Sequence, residues 1–429
     1  MISILYIVLI LILLKKNLFF NIKGVNKLEI IAALFIQLIT GIGLYFVYTK
    51  YYTERYTADI FKYYDDSLVL YDAFFSNPVD FFKIILGLDF DKEYFLNNYF
   101  TEMNHWDTSY KNSLMNESRL IIKINAVLNI IGFKSYIFNM VTFVIIAFIG
   151  KFLIIKSIIL KFNLNYPKVF FWSLTLIPTI ALWSSGILKE PLIILSFGLI
   201  FHLISVERAA SWVNLLLLIL GLGIIFKVKF YVFICLFPAL ISYVISSNFK
   251  FKPIKVIPLT CLILFIFIAL LSNIEGSYNP LNILANKQND FIRLAEIFDA
   301  GSSFKMLPIQ PNLISLIKSI PYGIINGFFR PFPTDINKLI HVFPLIENLI
   351  IYVIIAVLIY KLISLKVKLR IEMQNIIFNS IFFVVILFVI TGISTPVIGA
   401  LVRYKVPGLI FIIITINLLY DLLKKKSFQ

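Results

Sequence analysis

The chain has 429 residues, of which 60% are hydrophobic and only 14% charged. A mean hydropathy of +0.92 excludes a soluble globular domain or a disordered chain and points to an integral membrane protein. The net charge of +16 is not a nucleic-acid footprint, because the cations are sorted segment by segment along the chain.

A bilayer-crossing helix needs roughly 20 apolar residues, and about eleven runs approach that length. They lie near 2–14, 28–48, 137–160, 167–184, 189–206, 211–226, 229–248, 256–272, 344–364, 375–392 and 406–422. The first run is short. No basic stretch precedes it and no small-residue cleavage site follows it, and Lys15 and Lys16 come directly after. It reads as a retained anchor with its N-terminus outside. The alternation expected of a barrel strand is absent, so an all-α integral membrane protein is expected, since backbone groups in lipid must be satisfied within each segment.

The connecting segments alternate in character. One set is short and basic: Lys15, Lys16, Lys23 and Lys27; Lys161 and Lys168; Lys250, Lys252 and Lys255; Lys361, Lys366, Lys368 and Arg370; Lys424 to Lys426. Nearly all of the 23 acidic residues fall in the other set. The positive-inside rule then puts the basic set and the C-terminus in the cytoplasm. A single polytopic domain over 1–429 follows, with two large outer loops, at roughly 50–135 and 273–343, that contain short interfacial helices. No cytoplasmic segment is large enough to bind a nucleotide. There is no P-loop, no glycine-rich dinucleotide loop and no heptad run, so an ATP-driven pump is not expected.

The first outer loop is rich in acid: Glu54, Asp59, Asp65, Asp66, Asp72, Asp80, Asp89, Asp91, Glu93, Glu102, Asp107 and Glu117. Aromatic residues are interleaved throughout it. A solvated loop with interfacial aromatic anchors would explain much of this. It explains less well the stretch TADIFKYYDD, just beyond the second span. A carboxylate there (Asp59, Asp65 or Asp66) could act as general base toward an acceptor hydroxyl, or hold a divalent cation. Neighbouring rings offer stacking faces to a sugar or an isoprenoid. The stretch Val79–Leu88 is too short to span but apolar enough for a helix lying in the interface. Asp89-x-Asp91 could bind a metal, although so short a pattern arises easily by chance.

Several outer turns carry cations where few are expected: Lys189 in WSSGILKEP, Lys227 and Lys229 in FKVKFY, and Arg403 and Lys405 in ALVRYKVP. Arg330, in FFRPFPTD, lies late in the second outer loop. Singly, each could be snorkelling toward lipid headgroups. Together they could bind a phosphate or diphosphate, the arginines by paired contacts. Cys235 and Cys261 lie within spans and read as apolar filler. His105, His202 and His341 are too scattered for a His-rich metal site.

These features carry a resemblance: an acidic outer patch after an early span, the WSSGILKE turn, RPFP followed by Glu347 at a span entrance, and Gly399-x-x-x-Arg403-Tyr404-x-x-Pro407. They resemble bacterial GT-C-type glycosyltransferases and O-antigen-polymerase-like proteins of surface-polysaccharide synthesis. That resemblance implies a polyprenyl-(di)phosphate-linked sugar donor used at the outer face of the cytoplasmic membrane, with polysaccharide-assembly proteins as possible partners and no nucleic acid. It maps the catalytic carboxylate onto Asp59, with Asp65 or Asp66 as substitutes, and the donor-phosphate contacts onto Lys189, Arg330 and Arg403. The chain lacks the Asp-Glu pair of better-known GT-C members, which leaves the base open among the three. A divalent cation is the one cofactor left open. The alternatives are a transporter or flippase of a lipid-linked saccharide, which would need ionisable residues inside the spans, and a non-enzymatic scaffold of polysaccharide export.

Overall fold

A computed structural model describes residues 2–51, 55, 58–88, 92–106, 117–205, 212–274, 279–297, 299–336 and 339–427. The protein is an all-α membrane protein. Among the described residues there is no strand, only isolated bridges at Ile22–Val25 and Ser303–Val397. Seven helices there are long and apolar enough to cross a membrane, and three further apolar helices are shorter. The apolar runs read from the sequence are helical, and seven of the helices among the described residues have the length and hydropathy of a span, against about eleven expected. Two compact units divide the chain: Met1–Asn163 with Ala181–Phe233, and Leu164–Ile180 with Ile234–Gln429.

The first unit opens with α1 (Ile2–Lys16) and α2 (Lys27–Phe46). A capping box starts α2: the Glu29 carboxylate accepts from the Asn26 N–H at 2.8 Å, pairing groups that would otherwise be orphaned at the helix start. A π-turn over Val47–Tyr51 extends it. The first outer segment is largely helical, with α3 (Asp59–Ser76), α4 (Pro78–Leu86), α5 (Lys92–Asn98) and α6 (Arg119–Gly132). On α4, Phe81 and Ile84 face inward while Val79, Phe82 and Leu86 are exposed. That one-sided apolar stripe fits the interfacial helix expected over 79–88.

The long helix α7 (Tyr136–Phe162) is mostly buried. A polar ladder joins it to α3 and α6. Asn139 Nδ2 donates to the side-chain oxygens of Asn125 (3.0 Å) and Asn129 (2.9 Å), and Asn129 Nδ2 donates to Ser67 Oγ (2.9 Å). Each buried amide nitrogen of the ladder finds an acceptor, and the ladder fixes the rotation of α3.

The apolar run near 167–184 is not one helix. It forms α8 (Pro167–Leu176) and α9 (Pro178–Trp183). Ile177, the residue before Pro178, has ψ 120° and leaves the helical region, as steric clash with the proline ring demands. Next come α10 (Glu190–Ser205) and α11 (Trp212–Val228), both in the first unit, and α12 (Phe230–Asn248). α10 lies against α7 through glycine. A Cβ on Gly150 would meet the Ile194 carbonyl at 2.5 Å, and one on Gly198 would meet the Gly150 oxygen at 2.6 Å. Only residues without side chains allow so close an approach of backbones.

The second unit continues with α13 (Pro253–Leu271), α14 (Pro280–Ile297), α15 (Leu313–Ile324), α16 (Val342–Ser364), α17 (Ile371–Ser394), α18 (Ile398–Tyr404) and α19 (Val406–Ser427). α17 forms its core, touching α13, α14, α15 and α19. Gln288 on α14 ties three strands of chain together. Its Nε2 donates to the carbonyls of Leu307 (2.9 Å) and Ile393 (2.8 Å), and its Oε1 accepts from the Ile309 N–H (2.8 Å). Asp421 on α19 accepts from the backbone N–H groups of Asn165 (2.7 Å) and Tyr166 (2.9 Å), satisfying orphan donors where α8 begins.

Candidate functional site

The three candidate carboxylates all lie on α3 and have very different surroundings. Asp59 is the first residue of that helix, where the aligned peptide dipoles favour an anion. It pairs with Lys62 at 3.0 Å, and its side chain is 29% exposed. Asp65 is held by a fork from Arg55, Nε at 2.9 Å and Nη2 at 2.6 Å. The same guanidinium lies over the Phe61 ring at 4.1 Å.

Asp66 is buried and accepts from the backbone N–H groups of Asn104 (3.0 Å) and His105 (2.7 Å). Burial pushes its carboxyl up to about 6, against the pull of those N–H groups. Asp66 therefore clasps the loop before Trp106 onto α3. Trp106 stacks on Phe100 at 4.6 Å, and the Arg119 guanidinium covers it at 5.1 Å. Asp59 and Asp65 are both part-exposed, and they differ in their partners: Asp59 pairs with the flexible Lys62, whereas Asp65 is gripped by the Arg55 fork and Asp66 is built into the scaffold.

The turn that ends at Lys189 is positioned by apolar packing. Leu188 is buried with Leu44, Ala58, Ile60 and Phe61, which couples the turn to the end of α2 and the start of α3. Lys189 Nζ lies 3.1 Å from Glu117 and 5.9 Å from the Tyr63 ring. Tyr63 follows Asp59 by one helical turn, so the two share a face of α3. The structure thus brings Lys189 to the acidic helix, together with Glu117. Lys229 is buried and donates to Glu190 Oε1 at 2.7 Å. Lys227 is exposed in the last turn of α11.

Arg330 and Arg403 belong to the second unit. Arg330 Nε donates to Asn326 Oδ1 at 2.9 Å, its Nη1 donates to Asp335, and its guanidinium lies 3.7 Å over the Phe304 ring. The peptide that follows, Arg330–Pro331, is cis. Lys405, also buried, donates to the carbonyls of Arg330 (3.0 Å) and Phe328 (3.4 Å). Arg403 is buried on α18. Glu347, buried near the start of α16, accepts from the Thr179 N–H at 2.8 Å. The candidate cations are therefore shared between two units, with Lys189, Lys227 and Lys229 in one and Arg330 and Arg403 in the other.

Sequence reasoning passed over Lys151. It lies in the middle of α7, is fully buried, and its Nζ has no hydrogen-bond partner among the described residues. The sorting of charge by connecting segment hid it, because its apolar neighbours on both sides make the run read as an uninterrupted span. Asp89, Asp91, Glu54 and Asp107 lie outside the described residues. Among the described residues, no group of three or more His, Cys, Asp or Glu is arranged to hold a metal ion. Comparison with protein-family models, curated proteins and solved structures yields no match to this chain.

Proposed function

We propose that the chain is a membrane glycosyltransferase or polysaccharide polymerase. It draws a sugar or oligosaccharide from a polyprenyl-(di)phosphate carrier at the outer face of a bacterial cytoplasmic membrane. The observation that carries this reading is the part-exposed Asp59 at the head of α3, on the same face as Tyr63, whose ring lies 5.9 Å from Lys189.

In this reading the acceptor hydroxyl gives its proton to the Asp59 carboxylate while its oxygen bonds to the anomeric carbon. The bond from that carbon to the carrier phosphate breaks, and the phosphate leaves with the electron pair. Lys189 balances the charge that develops on the leaving group. Arg330 and Arg403 are the further phosphate contacts proposed.

The test is mass spectrometry of polyprenyl-linked saccharides in cells lacking the gene, complemented with wild type or with Asp59→Ala. General-base assistance contributes about 10²–10⁴-fold in rate. A discrete lipid-linked intermediate should therefore accumulate and be cleared only by wild type. Equal clearance by Asp59→Ala would remove Asp59 from the mechanism, and an unchanged lipid-linked pool would remove the reading itself.

A second reading, transport of a lipid-linked saccharide, is favoured by Lys151, since an ionisable residue deep in a span marks a permeation path by default. The same complementation with Lys151→Met separates the two, because loss of product with Lys151→Met and its retention with Asp59→Ala would favour transport.

A further inference from the structure

An apolar groove of about 190 Å³ runs between α1, α2 and α7 in the first unit. Its walls are Ile10 and Leu14 of α1, Leu34 of α2, and Ile145, Phe148 and Ile149 of α7. It carries almost no polar surface, so in a bilayer it is filled by hydrocarbon rather than water. At one end it meets Asn17 and Phe20, on the connection between α1 and α2.

That end is cationic. Lys27 Nζ donates to the carbonyls of Leu14 and Asn17, both at 2.9 Å, so it sits directly on the groove's wall. Lys156 Nζ donates to the Phe19 carbonyl at 2.6 Å and lies over the rings of Phe19 (5.1 Å) and Phe152 (6.0 Å). Phe152 in turn contacts Phe20. The Lys27 and Lys156 charges are close enough to repel one another, and neither forms an ion pair among the described residues. Lys15 and Lys16 stand exposed at the end of α1. An ammonium has three donors, which leaves one on Lys27 and two on Lys156 for an outside acceptor.

We propose that this groove is a binding site for an anionic glycerophospholipid, with one acyl chain lying along the groove and the phosphodiester held between Lys27 and Lys156. Both halves of the ligand are specified by what they meet. The hydrocarbon wall takes the chain, and two ammonium groups with spare donors and no carboxylate between them take a negative headgroup. A zwitterionic lipid fits less well, because its own cation would enter a cluster of lysines. The assignment does not depend on the glycosyl-transfer reading.

The full chain, purified and reconstituted, can be titrated with phosphatidylglycerol or with phosphatidylcholine of matched acyl chains. Bound lipid is counted by native mass spectrometry, with thermal unfolding followed in parallel. Each lysine near a lipid surface contributes about fivefold in affinity, so Lys27→Gln with Lys156→Gln should weaken phosphatidylglycerol binding by about 25-fold. Phosphatidylcholine binding should be unaffected, which also reports that the double variant is folded. Leu13→Trp, at a half-exposed wall position, should weaken phosphatidylglycerol binding by obstructing the chain while both lysines remain. Equal binding of the two lipids by wild type would overturn the proposal, as would undiminished phosphatidylglycerol preference in the lysine double variant. Loss in the lysine variant with no effect of Leu13→Trp would overturn the groove as the chain's seat.

Discussion

Lys229 donates to Glu190 across 2.7 Å with both side chains withdrawn from solvent, 2% and 0% exposed. Each member cancels the other's desolvation, so neither can be lost alone. Glu190→Gln or Lys229→Met is expected to destabilise the first unit by about 3–5 kcal/mol, whereas replacing both with apolar residues of similar size should recover most of that loss. A double-mutant cycle followed by thermal unfolding measures this. Additive losses would mean that the pair is not coupled.

Asp66 gives the chain a pH dependence of known sign. Its folded carboxyl titrates at about 6, above its ordinary value of 3.8. The folded state therefore holds the proton more tightly than the unfolded chain does. The resulting stability is fully present below pH 3.8 and is lost as pH rises through about 6. Wild type should lose more thermal stability between pH 4 and pH 7 than Asp66→Asn, which cannot ionise. Parallel profiles would show that Asp66 does not titrate in this window.

The helical architecture was legible because hydrocarbon leaves the backbone few options. The runs read near 344–364 and 375–392 are helices over Val342–Ser364 and Ile371–Ser394, extended by only a few residues at their ends. What was not legible depends on contacts between residues distant in sequence. Asp65 and Asp66 are adjacent and chemically identical, yet one faces Arg55 and the other the backbone of a loop 38 residues away. Hydropathy averages across Lys151, and only packing reveals that it lies fully buried. Short interfacial helices are expected in the second outer loop, but their positions are not legible there. Leu313–Phe329 forms an apolar helix, and the serines, Lys318 and Pro321 within it break the apolar run without breaking the helix.

Lys151 has an ammonium in a packed interior with no acceptor among the described residues, a cost that a shape-matched apolar residue removes. Lys151→Met should raise stability against denaturant by about 1–4 kcal/mol and, under the glycosyl-transfer reading, leave product formation intact. Greater stability with lost product would mark Lys151 as a working residue of the membrane interior. A lower stability would mean that its ammonium has a partner in the native state.

Gly327 tests how tightly α17 is packed. A Cβ there would run into the Phe388 carbonyl, while one on Gly223 would meet nothing within 4 Å. Gly327→Ala should destabilise by about 1–3 kcal/mol through overpacking. Gly223→Ala, in the helical interior of α11, should be neutral or stabilising. Similar effects from both would mean that the contact with Phe388 relaxes freely.

Arg403→Lys keeps the charge but removes the planar fork that can grip two phosphate oxygens at once. The variant is expected to reach the membrane in normal amounts and to accumulate the same lipid-linked intermediate as Asp59→Ala. Full product from Arg403→Lys would take Arg403 out of the donor site.

The close contact of α10 with α7 governs how the two can move in lipid. Their backbones meet at Gly150 and Gly198 with no room for a side chain between them. Neither helix can slide along the other without opening that contact. Whatever tilt the surrounding bilayer imposes on the 27-residue α7 is therefore passed to α10, and the pair answers the membrane as one body.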